Sequence, residues 1–154
     1  MSDYIEVTQA KLDSANALAW LKASPEGVGA LVSFTGLVRE LEDASLKSME
    51  LEHYPGMTEK ALQRIVEQAR ERWPLNRVWV VHRVGQMTLA DEVVQVAVSS
   101  AHRKAAFEAA IFIMDYLKRD APFWKREVSD QGAVWVEQKT TDLEAANSWD
   151  TGQG

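Results

Sequence analysis

The chain has 154 residues, of which 46% are apolar and 26% are charged, and its formal net charge at pH 7 is −6. This length and mixture are typical of one globular domain whose core needs no disulfide or metal for stability. The sequence contains no Cys, which excludes a thiolate nucleophile, a persulfide carrier, a zinc–thiolate site and an iron–sulfur cluster.

The first residues, MSDYIE, have neither the basic nor the apolar region of a secretory leader. No window of the sequence approaches the roughly 18 uninterrupted apolar residues of a membrane-spanning helix. We therefore expect a cytoplasmic protein. The negative net charge disfavours nucleic acid and anionic membranes as partners.

Hydrophobic periodicity predicts short strands that alternate with helices. The breaker Ser24-Pro25-Glu26-Gly27 ends the first helix, Thr58 is the expected N-cap of the second, and the third has an apolar stripe that includes Phe107. Ser99 and Ser100 are the expected cap of that third helix. The predicted order is strand 4–7, helix 12–21, strands 30–36 and 49–53, helix 58–73, a hairpin of 78–84 and 92–99, helix 101–119, strands 123–128 and 134–138, and helix 142–149.

Strands outnumber helices, and several adjacent strands are joined as hairpins. The predicted fold class is therefore α+β, with a mainly antiparallel sheet and packed helices. No repeat, low-complexity tract or long linker divides the sequence. We expect a single domain over residues 1–154, of which about 140–154 form a C-terminal helix and a frayed tail.

Positive charge concentrates between His102 and Arg126, where six basic and three acidic residues give a net charge of +3. Such an island on an acidic protein favours a small anion over a long polyanion, although a solvated helix face explains it equally well. His102 and Arg103 lie in the first turn of the predicted third helix, where free N–H groups attract phosphate. Lys118 lies at the other end, where a cation suits the helix dipole.

The three histidines, His53, His82 and His102, have no partner at the spacing of a metal site. We therefore predict no metal and no cofactor, and we interpret His53 and His82 as hydrogen-bonded strand residues. The phosphate-loop, dinucleotide-binding and hydrolase motifs GxxxxGK[ST], GxGxxG and GxSxG are absent.

His102 and Lys118 are 16 positions apart on one predicted helix, a separation of roughly 24 Å. That distance is too long for one small ligand. Either the two helix ends serve different sites, or a homodimer brings the N-terminal end of one helix to the C-terminal end of its copy.

Five blocks of the sequence form an ordered set: FTGLVR (34–39), LEHYPGM (51–57), SAHR (100–103), MDYLK (114–118) and APFWKRE (121–127). Through these blocks, the sequence between about residues 28 and 139 resembles the catalytic, or large, subunit family of molybdopterin synthase. The resemblance implies an α/β hammerhead-like fold, a homodimer, and a heterotetramer with a small ubiquitin-like sulfur-carrier subunit whose C-terminal Gly-Gly carries a thiocarboxylate. It also implies insertion of two dithiolene sulfurs into cyclic pyranopterin monophosphate (precursor Z), which yields molybdopterin.

The same resemblance implies that Lys118 and Lys125 are the catalytic residues. Lys118 is expected to contact the incoming tail carbonyl and the pterin as proton donor or acceptor, in desolvated and cation-crowded surroundings. Arg39 offers a bidentate fork for phosphate, and His102 and Arg103 are expected from the second subunit. The implied substrate-binding residues are Leu37, Val38, Arg39, His102, Arg103, Lys118, Lys125, Arg126, Glu127 and Lys139.

Two positions depart from the family pattern. Leu37 stands where relatives often carry a basic residue, and Lys139 stands where an arginine is expected, so that the charge is kept but the planar fork is lost. Two other functions remain open: a phosphodiesterase with His102 as base and Lys118 stabilising the phosphorane, and a non-catalytic adaptor for a ubiquitin-like protein.

Overall fold

A computed structural model of the chain describes residues 3–40, 45–136 and 140–150. Its strands form two four-stranded sheets, in the orders β1-β4-β6-β2 and β5-β3-β7-β8. None of the described helices is long and apolar enough to cross a membrane. The elements are β1 (Asp3–Thr8), α1 (Ser14–Lys22), β2 (Ala30–Leu37), β3 (Leu46–His53), α2 (Met57–Arg72), β4 (Val78–Arg83), β5 (Gly85–Met87), β6 (Glu92–Ser100), α3 (Arg103–Asp120), β7 (Phe123–Ser129), β8 (Gly132–Val136) and α4 (Thr140–Ser148).

The predicted α+β class and the mainly antiparallel pairing are confirmed. Within the described residues β1 runs parallel to β4, whereas the other paired strands are antiparallel. The strands divide between two sheets, a division that the sequence does not indicate.

Helices cover both faces of the first sheet because β4 and β6, its central strands, are apolar on both sides. Successive side chains of a strand point to opposite faces. Val78 and Val80 accordingly belong to the largest core with α2 and α3, whereas Trp79 and Val81 pack with α1 on the other face. This arrangement lays α3 along β6 and β2.

The predicted hairpin of residues 78–99 is interrupted by β5. β4 and β6 pair antiparallel as predicted, but the three residues of β5 pair with β3 in the second sheet. Gly85 makes this change of sheet with a φ of +92°, a conformation that strains any residue with a Cβ. The second sheet covers a smaller core that includes Leu51 and Met87.

The predicted N-cap of the second helix is wrong by two residues. α2 begins at Met57 with Gly56 as N-cap, and the N–H of Gly56 donates to the Glu59 carboxylate at 2.9 Å. Thr58 lies inside the first turn, is fully buried, and its hydroxyl contacts other segments of the chain.

The predicted start and apolar stripe of the third helix also need correction. α3 begins at Arg103 with His102 as N-cap, while Ser99 and Ser100 end β6 instead of capping a helix. Phe107, expected in the buried stripe, is 56% exposed. The buried face of α3 consists of Ala106, Ala109, Ala110, Phe112, Ile113, Tyr116 and Leu117.

The predicted C-terminal helix is present as α4, and the residues after it attach to the last turns of α3. The Trp149 indole N–H donates to Asp115 at 2.7 Å. Asp150 accepts from the Tyr116 hydroxyl and lies 2.9 Å from the Arg119 guanidinium. The end of α3 is therefore held by the C-terminal segment.

Truncation of Trp73 should measure how much its packing against α3 and the C-terminal segment contributes to the free energy of unfolding. The Trp73 ring lies edge-on to Phe112 at 5.3 Å and to Trp149 at 5.7 Å, and its indole N–H donates to Glu108 at 3.1 Å. Trp73→Ala should lower the free energy of unfolding by about 2–3 kcal/mol because it leaves a cavity. Trp135→Ala is the control and should change it by less than about 0.5 kcal/mol, since its ring is largely exposed. Urea unfolding measures both, and equal losses would contradict the assignment.

Candidate active site

A cavity of about 1170 Å³ opens between the end of β2, the end of α3 and β7. It brings together the cations Arg39, Lys118 and Lys125 and the carboxylate of Glu127. Pockets that bury small ligands commonly measure roughly 300–1,000 Å³. This cavity therefore has room for a small anionic molecule and for part of a second one.

β7 supplies two charged residues of the cavity through the alternation of its side chains. Lys125 and Glu127 are two residues apart and point to the same face of the strand. Their partners on β3, Leu51 and Met49, also line the cavity. The Lys125 ammonium lies 3.7 Å from the Glu127 carboxylate, so this pair presents both signs of charge to a ligand.

Arg126 lies between these two residues and points to the other face of β7. Its guanidinium is 3.3 Å from the Glu50 carboxylate and lies 6.0 Å from the centre of the Trp135 ring. Arg126 does not line the described cavity. The structure therefore does not place it in the substrate wall that the resemblance implies.

The end of β2 contributes Leu37, Val38 and Arg39. The β2–β6 register shifts at Leu37, and Val38 is then held by two backbone hydrogen bonds, from its N–H to Asp91 at 2.9 Å and from the Ala90 N–H at 2.8 Å. Val38 is buried whereas Leu37 is exposed. This anchored backbone places Arg39 at the cavity.

Lys118 reaches the cavity from the last turn of α3. The sequence predicts desolvated surroundings for this residue, but Lys118 is exposed in the single chain. The single chain therefore does not show the desolvation expected of Lys118, which would require a molecule that covers the cavity.

His102 and Arg103 line a second cavity, of about 450 Å³, at the opposite end of α3. The 18 residues of α3 span about 27 Å, so one small ligand cannot reach both cavities of the same chain. Lys139 lies outside the described residues. Among the described residues, no three His, Asp or Glu side chains form a group that could hold a metal ion.

Comparison with known proteins decides the family. The family model described as MoaE protein matches residues 7–120 of the chain. The chain belongs to the MoaE family. It is 54% identical over 147 residues to the molybdopterin synthase catalytic subunit of Salmonella typhimurium, and this match covers 94% of the chain and 97% of that relative.

Solved structures of MoaE proteins share the fold. A molybdopterin biosynthesis MoaE protein from Burkholderia ambifaria superposes with a TM-score of 0.83 at 44% identity, covering 97% of this chain and 99% of that one. A complex of subunits 1 and 2 of the molybdopterin-converting factor from Helicobacter pylori shares the fold at a TM-score of 0.73 and 17% identity, with 87% and 90% covered. The family resemblance seen in the sequence is confirmed.

His82 is a cavity residue of this MoaE protein that the sequence did not identify. It is buried at the end of β4, its Nδ1 lies 2.9 Å from the Arg83 carbonyl oxygen, and its ring stacks on Phe123 at 3.9 Å. Because a carbonyl oxygen can only accept, Nδ1 carries the proton of the neutral ring. The interpretation of His82 as a hydrogen-bonded strand residue is correct, but incomplete. Its spacing from Val78 and Val80 signals an inward-facing polar side chain.

Burial lowers the pKa of His82 to about 4, against the opposing effect of the hydrogen bond to the Arg83 carbonyl, and the charges of Lys118 and His53 lower it further. In the unfolded chain a histidine titrates near pH 6.5. The unfolded state therefore takes up this proton first as the pH falls.

His82 should make the protein less stable in mild acid. Its contribution is complete above about pH 6.5 and is lost progressively down to about pH 4, for a total of about 3 kcal/mol. His82→Phe keeps an aromatic ring on Phe123 and removes the titration, so its stability should fall less over this range. Urea unfolding at intervals from pH 7 to pH 4 compares the two proteins, and parallel curves would show that another group is responsible.

Proposed function

We propose that the chain is the catalytic subunit of a molybdopterin synthase, which converts cyclic pyranopterin monophosphate into molybdopterin. The two dithiolene sulfurs arrive on the thiocarboxylated C-terminus of a small ubiquitin-like subunit. The observation that carries this proposal is the cavity in which Arg39, Lys118 and Lys125 meet in a chain of the MoaE family. An enzyme that receives its sulfur from a partner needs no Cys, and this chain has none.

The cavity offers separate groups for the two ends of the substrate. The Arg39 guanidinium suits the cyclic phosphate because its planar fork donates two parallel hydrogen bonds. The carboxylate of Glu127 accepts hydrogen bonds and suits the N–H groups of a pterin ring. Its neighbour Lys125 lies 3.7 Å away, within reach of the same ligand.

Lys118 and Lys125 are the proposed catalytic residues. They approach the cavity from α3 and β7, so that the thiocarboxylate tail and the pterin lie between two ammonium groups. In this position Lys118 exchanges a proton with the tail carbonyl or the pterin. Binding of the tail excludes water from Lys118, which strengthens the interaction of both lysines with developing negative charge.

Removal of either lysine should abolish most turnover without unfolding the protein. Lys118→Ala and Lys125→Ala should each reduce dithiolene formation by at least about 100-fold, as loss of a proton-transfer group does. The assay combines the purified chain, the thiocarboxylated small subunit and cyclic pyranopterin monophosphate, and detects the product by mass. Lys60→Ala, on an exposed position of α2, is the control. Activity in Lys118→Ala equal to that of the control would refute the assigned role.

An exposed apolar stripe on α3 supports a homodimer. Phe107 and Ile111 are 56% and 53% exposed, and their spacing of four places them on one face of the helix. Arg103 lies four positions before Phe107 and Lys118 lies seven positions after Ile111, so both lie at the ends of the same face. A second copy packed antiparallel on this stripe covers the apolar side chains and brings Arg103 of one protomer to Lys118 of the other.

If each site takes residues from both protomers, mixed dimers of two inactive variants should recover activity. His102→Ala and Lys118→Ala chains should each be inactive alone, but a heterodimer of the two restores one site in which both residues are intact. Random exchange of subunits should therefore recover about one quarter of wild-type activity, because half of the dimers are mixed and half of their sites are intact. Steady-state turnover after co-refolding measures the recovery. Its absence, with subunit exchange demonstrated by mass, would show that His102 of one protomer and Lys118 of the other do not share a site.

The structure disfavours a phosphodiesterase that uses His102 and Lys118 of one chain, since these residues line different cavities. An adaptor without activity would bind the small subunit but give no product with either wild type or Lys118→Ala. Cytoplasmic location and a single domain over residues 1–154 are further parts of the proposal, which cell fractionation and limited proteolysis test.

A further inference from the structure

The turn between the two proposed catalytic lysines is short and is held by residues from distant parts of the chain. α3 ends at Asp120 and β7 begins at Phe123, so Ala121 and Pro122 alone connect them. Lys118 and Lys125 lie on either side of this turn. Whatever fixes the turn therefore fixes how the two lysines face each other across the cavity.

Thr58 holds the turn at Pro122. Its side chain is fully buried, and its hydroxyl accepts from the Tyr54 N–H at 3.0 Å and donates to the Pro122 carbonyl at 3.1 Å. The start of α2 does not depend on this hydroxyl, because Glu59 accepts from the N-cap N–H of Gly56. The hydroxyl of Thr58 therefore connects the β3–α2 turn to the α3–β7 turn.

His82 holds the same turn one residue further on. Its ring stacks on Phe123 with centroids 3.9 Å apart and planes inclined by 24°. The ring is itself fixed by the contact of Nδ1 with the Arg83 carbonyl and by nearly complete burial in the first sheet. Phe123 is thus packed against a rigid group at the point where β7 begins.

We propose that Thr58 and His82 are positioning residues, which fix Pro122 and Phe123 and thereby set the placement of Lys118 relative to Lys125. The link to turnover rests on the proposed function. Neither residue has to exchange a proton with the substrate in this role. Their importance follows from the sensitivity of catalysis to geometry, since a displacement of about 1 Å at a reacting group can cost about 100-fold in rate.

The first test compares two substitutions of Thr58. Thr58→Val keeps the shape and removes the hydroxyl, whereas Thr58→Ser keeps the hydroxyl. Thr58→Val should lower kcat by about 10- to 100-fold while KM changes by less than about twofold, because the groups that bind the substrate are intact. Thr58→Ser should restore kcat to within about threefold of wild type. Equal kcat values for Val, Ser and wild type would overturn the role of Thr58.

The second test concerns the ring on Phe123. His82→Leu removes the stacked ring and should lower kcat in the same way as Thr58→Val. His82→Phe retains an aromatic partner and should keep kcat within about threefold of wild type at pH 7. If His82→Phe loses as much as His82→Leu, the imidazole itself is required and positioning by the ring is wrong.

Hydrogen exchange detects the turn without any assay of activity. Thr58→Val and His82→Leu should each accelerate amide exchange in peptides that cover residues 118–125, relative to wild type, with smaller changes elsewhere. Gln95→Met is the matched control, because it removes a buried hydrogen bond, from the Trp79 indole at 2.9 Å, away from the turn. It should leave both the exchange of 118–125 and kcat per folded molecule unchanged.

The two readouts separate the two proposals. One outcome is that wild type forms no dithiolene while Thr58→Val accelerates amide exchange in residues 118–125. In that case the proposed function fails, and Thr58 fixes the turn without an effect on catalysis. If wild type is active and Thr58→Val leaves the exchange of 118–125 unchanged, the positioning role is overturned and the proposed function stands. If Gln95→Met lowers kcat as much as Thr58→Val, the effect is general destabilisation, which also overturns the positioning role.

Discussion

The packing of α3 on the first sheet is the interaction on which both cavities depend. Phe112, Ile113 and Leu117 are almost completely buried in the core that α3 shares with the first sheet, α2 and the C-terminal segment, and burial of each stabilises the fold by about 1.5–3 kcal/mol. The basic residues of the first turn oppose the helix dipole, at a cost of about 0.3–1 kcal/mol each. The free energy gained by burying these side chains therefore exceeds the cost of the basic residues in the first turn, and α3 can carry cations at both ends. Because a helix is rigid over this length, the two groups of cations are held apart within one chain.

Arg119 and Lys125 differ in how closely a carboxylate compensates their charge. Arg119 lies 2.6 Å from Asp120 and 2.9 Å from Asp150, and these carboxylates balance its charge. Lys125 has a weaker counter-charge in Glu127 at 3.7 Å. Two of the acidic residues that contribute to the net charge of −6 thus pair closely with Arg119, whereas the looser pair of Lys125 leaves its ammonium better placed to contact a ligand. This arrangement explains how a small anion can bind to an acidic protein.

Much of the fold and part of the site can be predicted from the sequence, because alternation and helical periodicity report burial directly. The family blocks led to Arg39, Lys118 and Lys125, which the structure brings to one cavity. The same alternation sets Arg126 apart from Lys125 and Glu127, since adjacent strand residues face opposite sides. The use of two sheets was not predictable from periodicity, because it depends on the backbone at Gly85. Thr58 also escaped prediction, since its partner Pro122 is 64 positions away and local capping rules describe only neighbours.

The error at Phe107 has a different physical origin. Its helical spacing predicts burial, and in the single chain it is exposed beside Ile111. Lys118 also differs from its expected surroundings. The chemistry proposed for it requires desolvation, but its side chain is exposed to solvent in the single chain. Both residues lie on one face of α3, so the second copy proposed above would bury Phe107, while the bound tail excludes water from Lys118. Periodicity in a sequence records burial in the assembled protein, whereas the exposure of Phe107 and Lys118 describes one protomer. The proposed homodimer therefore accounts for the burial that the helical spacing predicts for Phe107, and the same proposal brings Arg103 of one protomer to Lys118 of the other.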